Sequence, residues 1–206
     1  MSKPASIPST VWAWPLARFR DALAGQEAVP SCGATAAVGA SLALALITMA
    51  LAKSLERQPS EALARLLEQA RSLQPTLDAH ADRDMRAFGR FIDDLPHTTP
   101  EDALRQADVR RMTEGACHAA ADTLRALELA RTALPLAAKG LRCDLLAGGL
   151  MLHANLRALL LNVTEDLPLL ADPAAAAAFE AAARNLGRQA EQALADLMQG
   201  PQAASG

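Results

Sequence analysis

Val29-Pro30-Ser31-Cys32-Gly33-Ala34-Thr35, followed by the alanine-rich run from Ala36 to Lys53, is the stretch that decides the fold. A turn that contains proline and glycine and leads into a helix leaves free backbone N–H groups at the positive end of the helix dipole, so it can hold an anion. Small residues in the next helical turns let another backbone approach closely. On its own, the stretch predicts a buried helix with a polar entrance.

Composition predicts an all-α protein. Of the 206 residues, 51% are hydrophobic, much of that fraction being alanine and leucine, whereas aromatic residues make up 3% and tyrosine is absent. Strands draw on β-branched and aromatic residues, while alanine, leucine, glutamate and arginine favour helix. We therefore expect a single-domain antiparallel helical bundle. Because the helix over 36–52 is too apolar to leave its whole circumference in water, we also expect a dimer whose interface includes it.

Prolines, caps and apolar spacing divide the chain. They predict a flexible lead-in over 1–10, one helical domain over 11–199 and a flexible tail over 200–206. Thr99-Pro100 and Asp172-Pro173 each pair a cap residue with a proline at the first helical position, which marks a helix start. Pro75 is expected to interrupt or kink the third helix. The predicted helices are 15–25, 34–57, a third from 59 onward, 99–134, 141–163 and 172–198.

Charge and cysteine usage restrict the partners and the compartment. The net charge of −3 and the pI near 5.8 argue against nucleic-acid binding. The three cysteines lie far apart and none forms a CxxC pair, so the sequence predicts neither a disulfide framework nor a zinc ribbon, and a cytoplasmic location fits best. The N-terminus does not resemble a signal peptide. The four histidines are dispersed, and neither a metal site nor a prosthetic group is expected.

A membrane span is the alternative reading of the apolar helix. Residues 35–52 are uncharged and nearly long enough to cross a bilayer. The stretch is mostly alanine, however, and no aromatic belt flanks its C-terminal end. A helix buried in a bundle or a subunit interface is therefore the favoured interpretation, with a span at 35–52 as the residual one.

Four short motifs occur in order along the chain. They are Phe19-x-Asp21-Ala22-Leu23-Ala24 ahead of the proline–glycine turn, Asp84-Met85-Arg86-Ala87-Phe88 followed by Leu95-Pro96-His97-Thr98, Cys143-Asp144, and Asn162-Val163. In type and spacing they resemble the cyclodeaminase/cyclohydrolase family, which includes the C-terminal domain of formiminotransferase-cyclodeaminase and methenyltetrahydrofolate cyclohydrolase. The resemblance covers nearly all of residues 16–198. It implies a small all-helical protein that processes one-carbon units on tetrahydrofolate.

The chain departs from the family pattern at several positions. Of the three glycines in the family's turn only Gly33 remains, and Ser31 and Cys32 stand in the other two places. Added Cβ atoms restrict the backbone of such a turn and fill space that a ligand would use. Cys143 replaces a serine, and Asp166 stands where a second asparagine is expected. The lysine-rich segment that usually follows the alanine-rich helix is missing. The chain therefore resembles a divergent member.

The resemblance implies a catalytic role for Asp144. Its carboxylate would face a bound methenyl-tetrahydrofolate, stabilise the cationic amidinium and take a proton from the attacking water. The alternative is a helix N-cap, for which aspartate is a preferred residue. The resemblance also implies a substrate-binding set. Its members are Ser31, Cys32, Gly33, Asp84 and Asn162.

Two of these residues have other readings. Asp84 is equally typical of a solvated helix acid paired with a neighbouring arginine such as Arg83 or Arg86. Cys32, like Cys143, is either a thiol activated by a helix N-terminus or a cysteine packed in an apolar turn.

Two functional hypotheses follow. The first is an enzyme of one-carbon metabolism, a cyclohydrolase or cyclodeaminase whose substrate is a reduced pterin carrying a one-carbon group, either 5,10-methenyl-tetrahydrofolate or a methanopterin-type analogue. The second is a catalytically inactive, dimeric binding module of the same fold. It is motivated by the altered turn, whose added side chains fill space that a ligand would use. In both, the expected partners are a reduced pterin and a second copy of the chain.

Overall fold

The computed structural model describes residues 10–199, and every regular element in that range is helical. The sequence-based prediction of an all-α fold is confirmed. The described residues form six α-helices, and short 3-10 turns lie before the first helix and in the last three connections. The helices are α1 (Leu16–Leu23), α2 (Cys32–Arg57), α3 (Glu61–Asp94), α4 (Ala103–Ala133), α5 (Arg142–Asp166) and α6 (Pro173–Gln199). The 3-10 turns are Val11–Ala13, Leu95–His97, Leu134–Leu136, Lys139–Leu141 and Leu167–Leu169.

Some helix limits differ from the sequence-based ones. Pro75 does not end α3, which is 34 residues long and continues past this proline to Asp94. Asp102, rather than Thr99, is the N-cap of α4, and its carboxylate accepts a hydrogen bond from the Thr99 N–H at 2.6 Å. Asp172 caps α6 as expected, because its Oδ1 accepts from the N–H groups of the second and third residues of that helix.

The chain ends are only partly described. Residues 1–9 of the expected lead-in and the expected tail over 200–206 lie outside the described residues. Thr10, which the sequence analysis placed in the lead-in, is attached to α3: its hydroxyl donates to Asp82 Oδ2 at 2.6 Å. Next to it, the Val11 N–H donates to Asp82 Oδ1 at 2.8 Å. Thr10 therefore belongs to the helical domain.

The core is centred on α2, which packs against both α3 and α5. Its inward-facing apolar side chains are buried against leucines of the neighbouring helices, and α4 and α6 close the other side of α5. The largest fully buried side chains of α2 are Leu44, Ile47 and Leu51. Burying aliphatic side chains of this size is the main favourable term in folding, at about 1.5–3 kcal/mol each.

Small residues bring α2 and α5 into close antiparallel contact. A Cβ on Gly148 of α5 would lie 2.6 Å from Ile47 Cγ1, and a Cβ on Gly39 of α2 would lie 2.4 Å from Asn155 Oδ1. These contacts fix the register of the pair, so the start of α2 lies beside the end of α5. That register decides which residues meet at the site.

Two helical stretches are long and apolar enough to cross a bilayer. They are Cys32–Arg57, with a mean hydropathy of 2.0, and Lys139–Leu169, with 1.3. In the most apolar window of the first, 61% of the residues are buried inside the bundle. Core helices of soluble proteins have the same character.

Candidate functional site

Three of the predicted ligand-binding residues meet where α2 begins. A Cβ on Gly33 would lie 2.0 Å from Asp84 Oδ1 of α3 and 2.8 Å from Asn162 Nδ2 of α5. Contacts shorter than 3 Å cannot be accommodated without displacing the neighbour, so the missing side chain of Gly33 is what lets the carboxylate and the amide approach the helix backbone. Gly33, Asp84 and Asn162 therefore form one cluster.

Asp84 occupies the anion position at the N-terminus of α2. Its carboxylate accepts a hydrogen bond from the Ala34 N–H, one of the free donors of the first helical turn. Its Oδ2 is buried and has no hydrogen-bond partner in the described part of the chain. Burial raises the pKa of Asp84 to about 6, although the bond from Ala34 opposes that rise. The side chain is thus poised between its two protonation states near neutral pH.

A cavity of about 370 Å³ opens beside this carboxylate, between α3 and α4. Gly33 and Ala37 of α2 and Leu159 of α5 complete its wall. Most of its charged lining is basic. The charged and titratable lining residues are His80, Arg83, Asp84, Arg86, Arg90, Arg111, Glu114 and His118. A pocket with an arginine-rich wall and one buried carboxylate favours a ligand that has an anionic part and a cationic or proton-donating part.

Asp166 is a second buried acid near Asp84. Burial raises its pKa to about 6, a hydrogen bond from the Thr113 hydroxyl at 3.2 Å lowers it, and the charge of Asp84 raises it further. Sequence reasoning recorded Asp166 only as a replacement for an expected asparagine. That substitution was the available signal, because it adds a carboxylate at the end of α5, where Asn162 and Asp84 already lie.

A histidine–aspartate pair whose histidine lines the cavity was missed by sequence reasoning. His80 of α3 lies one helical turn before Asp84, and its Nε2 is 2.9 Å from Asp122 Oδ2 of α4. His80 is 5% exposed. Its position one turn from Asp84 on the same helix was the only signal in the sequence; the partner on α4 becomes visible only once α3 and α4 are packed.

The family model described as formiminotransferase-cyclodeaminase matches residues 15–185, most of the chain. The chain belongs to this family. Its fold is similar to that of the crystal structure of formiminotetrahydrofolate cyclodeaminase from Thermotoga maritima, with a TM-score of 0.86. That match covers 92% of this chain and 96% of the other, at 18% sequence identity. No curated protein matches the chain.

In this member of the family, the two residues that replace turn glycines lie on another surface. Ser31 is the N-cap of α2 and makes no capping hydrogen bond through its side chain. Ser31 and Cys32 line a separate, open groove with Asn155 and Ala158 of α5. Burial and the negative charge of Asp84 raise the pKa of Cys32, which favours the thiol over a reactive thiolate. The structure thus separates Ser31 and Cys32 from the Asp84 cavity.

Asp144 lies at the other end of the family fold. It is in the first turn of α5, whose N-cap is Leu141, so Asp144 is not the cap residue itself. Asn162 is about five turns further along the same helix, a distance of about 27 Å at the α-helical rise. The lining of the Asp84 cavity does not include Asp144. Within one chain, the structure does not bring Asp144 to Gly33, Asp84 and Asn162.

Metal ligands are not grouped in the described residues. Between residues 10 and 199, no three His, Cys, Asp or Glu side chains are arranged to hold a metal ion.

Proposed function

We propose that this chain is an enzyme of one-carbon metabolism that acts on a reduced pterin carrying a one-carbon group, and that it does so in the cavity beside Asp84. The observation that carries the proposal is the buried Asp84 Oδ2 that has no partner on the wall of this cavity. A buried carboxylate oxygen with no partner costs free energy unless a ligand completes its hydrogen bonding. Family membership supplies the substrate class.

The protonation state of Asp84 suits both reactions considered for the family. In hydrolysis, water adds to the 5,10-methenyl carbon, the bond from that carbon to N5 breaks, and 10-formyl-tetrahydrofolate and one proton are released. In deamination, N10 attacks the carbon of a 5-formimino group, and ammonia leaves after that nitrogen has been protonated. A carboxyl with a pKa near 6 can give or accept the proton in either case. Its negative form also stabilises a cationic methenyl group.

The arginines of the cavity support an anionic substrate. Arg83, Arg86 and Arg90 lie on the exposed side of α3, and each lines the cavity. None of the three makes an ion pair with another described residue, whereas Arg111 is paired with Asp108. Guanidinium groups bind carboxylates in a bidentate fashion, so these arginines can hold the glutamate tail of a folate or the acidic tail of a methanopterin-type carrier.

We also propose that the chain forms a homodimer through the outer face of α2 and α5. Exposed apolar side chains here are Leu42 of α2, 47% exposed, and Leu150 and Met151 of α5, 47% and 40% exposed. Apolar side chains that group on one surface mark an interaction site. A second copy would also be required for Asp144 to approach the start of α2, because a single chain keeps them apart. The reaction and the scattered cysteines fit a cytoplasmic protein.

Turnover assays with three variants test the proposal. Wild-type protein is given 5,10-methenyl-tetrahydrofolate, 5-formimino-tetrahydrofolate or a methanopterin analogue, and the methenyl absorbance is followed. We expect Asp84→Asn to lower turnover by about 10²–10⁴-fold, the usual contribution of a positioned acid or base. Asp93→Asn, an exposed acid on the same helix, is the matched control and keeps wild-type activity.

The remaining outcomes discriminate between hypotheses. If Asp144→Asn loses activity and Asp84→Asn keeps it, the catalytic residue is Asp144, as expected from the sequence. If the wild-type protein binds a reduced pterin but turns over none of the three substrates, the chain is a binding module. Absence of both binding and turnover contradicts the proposed function.

A further inference from the structure

The pair formed by His80 and Asp122 has a defined geometry. His80 Nε2 lies 2.9 Å from Asp122 Oδ2, and Asp122 Oδ1 accepts a second bond from Arg125 at 3.0 Å. A carboxylate at these distances acts as an acceptor, so Nε2 carries the proton and Nδ1 of the neutral ring is the acceptor. Nδ1 makes no hydrogen bond to a described residue. The free nitrogen belongs to a residue that lines the cavity.

The surroundings of His80 keep the ring neutral. Burial lowers its pKa below the ordinary value, Asp122 opposes this through its hydrogen bond and its charge, and Arg83 and His118 add to the lowering. The other charged groups that line the cavity are Asp84, Arg86 and Arg90 of α3 and Arg111 and Glu114 of α4. A neutral imidazole with one nitrogen fixed by a carboxylate is the arrangement that general bases use, because the carboxylate stabilises the imidazolium that forms.

His80 and Asp84 also lie close enough to act on one ligand. Side chains one helical turn apart have Cβ atoms about 5–6 Å from each other. Both line a cavity of about 370 Å³. The cavity is therefore small enough for a single bound molecule to reach both.

We propose that His80 is the base that takes a proton from the attacking water when this cavity hydrolyses a methenyl bridge, and that Asp122 is its positioning residue. The inference rests on the proposed function and concerns its hydrolysis reaction. Water loses one proton to His80 Nδ1 as its oxygen bonds to the methenyl carbon. Asp84 then protonates N5 as the carbon–N5 bond breaks. The hydroxyl proton of the adduct returns to Asp84, the formyl group stays on N10, and His80 releases its proton to solvent.

The test compares variants in the intact protein. His80→Gln keeps a donor for Asp122 but has no basic nitrogen, and we expect hydrolysis of 5,10-methenyl-tetrahydrofolate to fall by about 10²–10⁴-fold. His97→Gln, an exposed histidine in the turn after α3, is the control and keeps wild-type activity. Asp122→Asn keeps the hydrogen bond and removes the charge. Because Asp122 raises the pKa of His80, this variant moves the acidic limb of the kcat/KM profile to lower pH, which a merely structural role would not do.

A binding readout separates the two proposals. Adding 5-formyl-tetrahydrofolate, a reduced pterin that is not hydrolysed, shifts the ring resonances of His80 in NMR spectra of the wild-type protein. If the wild-type protein hydrolyses the substrate and His80→Gln keeps its activity within about threefold of the wild-type value, the inference is overturned and the proposed function stays intact. Ammonia elimination without hydrolysis does the same. An inert wild-type protein with unmoved His80 resonances overturns both. Should His80→Gln fail to fold, an unmoved acidic limb in Asp122→Asn overturns the inference.

Discussion

Replacing Asp84 with asparagine is expected to stabilise the folded protein at neutral and alkaline pH. The carboxylate is buried, and its pKa is raised from 3.8 to about 6. A pKa difference of this size corresponds to about 3 kcal/mol of preference for the protonated form, because each pKa unit is about 1.4 kcal/mol. Asparagine has nearly the same shape, and its amide oxygen can still accept from the Ala34 N–H. It carries no charge to desolvate.

The sign of the pH dependence follows from linkage. Because the folded-state pKa lies above the unfolded value of 3.8, the folded protein binds more protons than the unfolded chain between about pH 4 and pH 6. The free energy of unfolding therefore falls as pH rises through this window and is lowest above the folded pKa. Asp166 adds a change of the same sign, since its pKa is also raised to about 6. Asp84→Asn removes the first contribution and keeps most of the second.

Urea denaturation followed by far-ultraviolet circular dichroism measures the effect. We expect Asp84→Asn to exceed the wild-type free energy of unfolding by about 1–3 kcal/mol at about pH 8, and the two proteins to converge at about pH 4. Asp93→Asn, with an exposed side chain, should follow the wild-type curve throughout. A variant that is destabilised at about pH 8 but matches the wild type at about pH 4 would refute the reasoning, because it would show that the carboxylate is ionised and well stabilised in the fold.

Two further predictions concern packing. Gly33→Ala is expected to lower the free energy of unfolding by about 1–3 kcal/mol, since its Cβ would lie 2.0 Å from Asp84 Oδ1. Gly89 lies in the interior of α3, and a Cβ added there would have nothing within 4 Å. Gly89→Ala should therefore raise the free energy of unfolding by up to about 1 kcal/mol in urea denaturation. Equal changes in the free energy of unfolding for the two variants would contradict the crowding argument. Leu42→Glu should convert a dimer to a monomer in sedimentation velocity, while Leu16→Glu, on α1 and 73% exposed, should not; a wild-type monomer at micromolar concentration counts against the dimer.

Most of the fold could be predicted from the sequence, because it depends on signals between residues that are close in the chain. The alanine-rich composition, the apolar spacing and the Asp172 cap each depend on residues near one another in the chain. Local signals fail at Pro75, where they predict an interruption of α3. A proline inside a helix costs about 3 kcal/mol, but Leu73 and Leu77 on either side of it are buried in the core. Tertiary packing of α3 therefore carries the helix through a residue that would end an isolated one.

The site was predictable only in part, because sequence order does not show which helix ends meet. Gly33, Asp84 and Asn162 were selected together and lie together. Asp144 was selected from the same resemblance and lies about five turns of α5 away from Asn162. The register of α2 against α5, set by the small residues along their contact, decides between the two ends. His80 and Asp122 were missed because their contact depends on the packing of α3 against α4.

The start of α2 binds an anion, as the sequence predicts, but the anion belongs to the protein itself. The free N–H groups and the positive dipole end do hold an anion, but the anion is Asp84 of the same protein. A fixed carboxylate here leaves no open site for a substrate anion, so the acidic tail of the proposed substrate would meet the arginines of the cavity instead. The same contact explains why Gly33 is kept while Ser31 and Cys32 are tolerated. Only a side chain at residue 33 would displace Asp84, whereas those of the preceding two residues line a different groove.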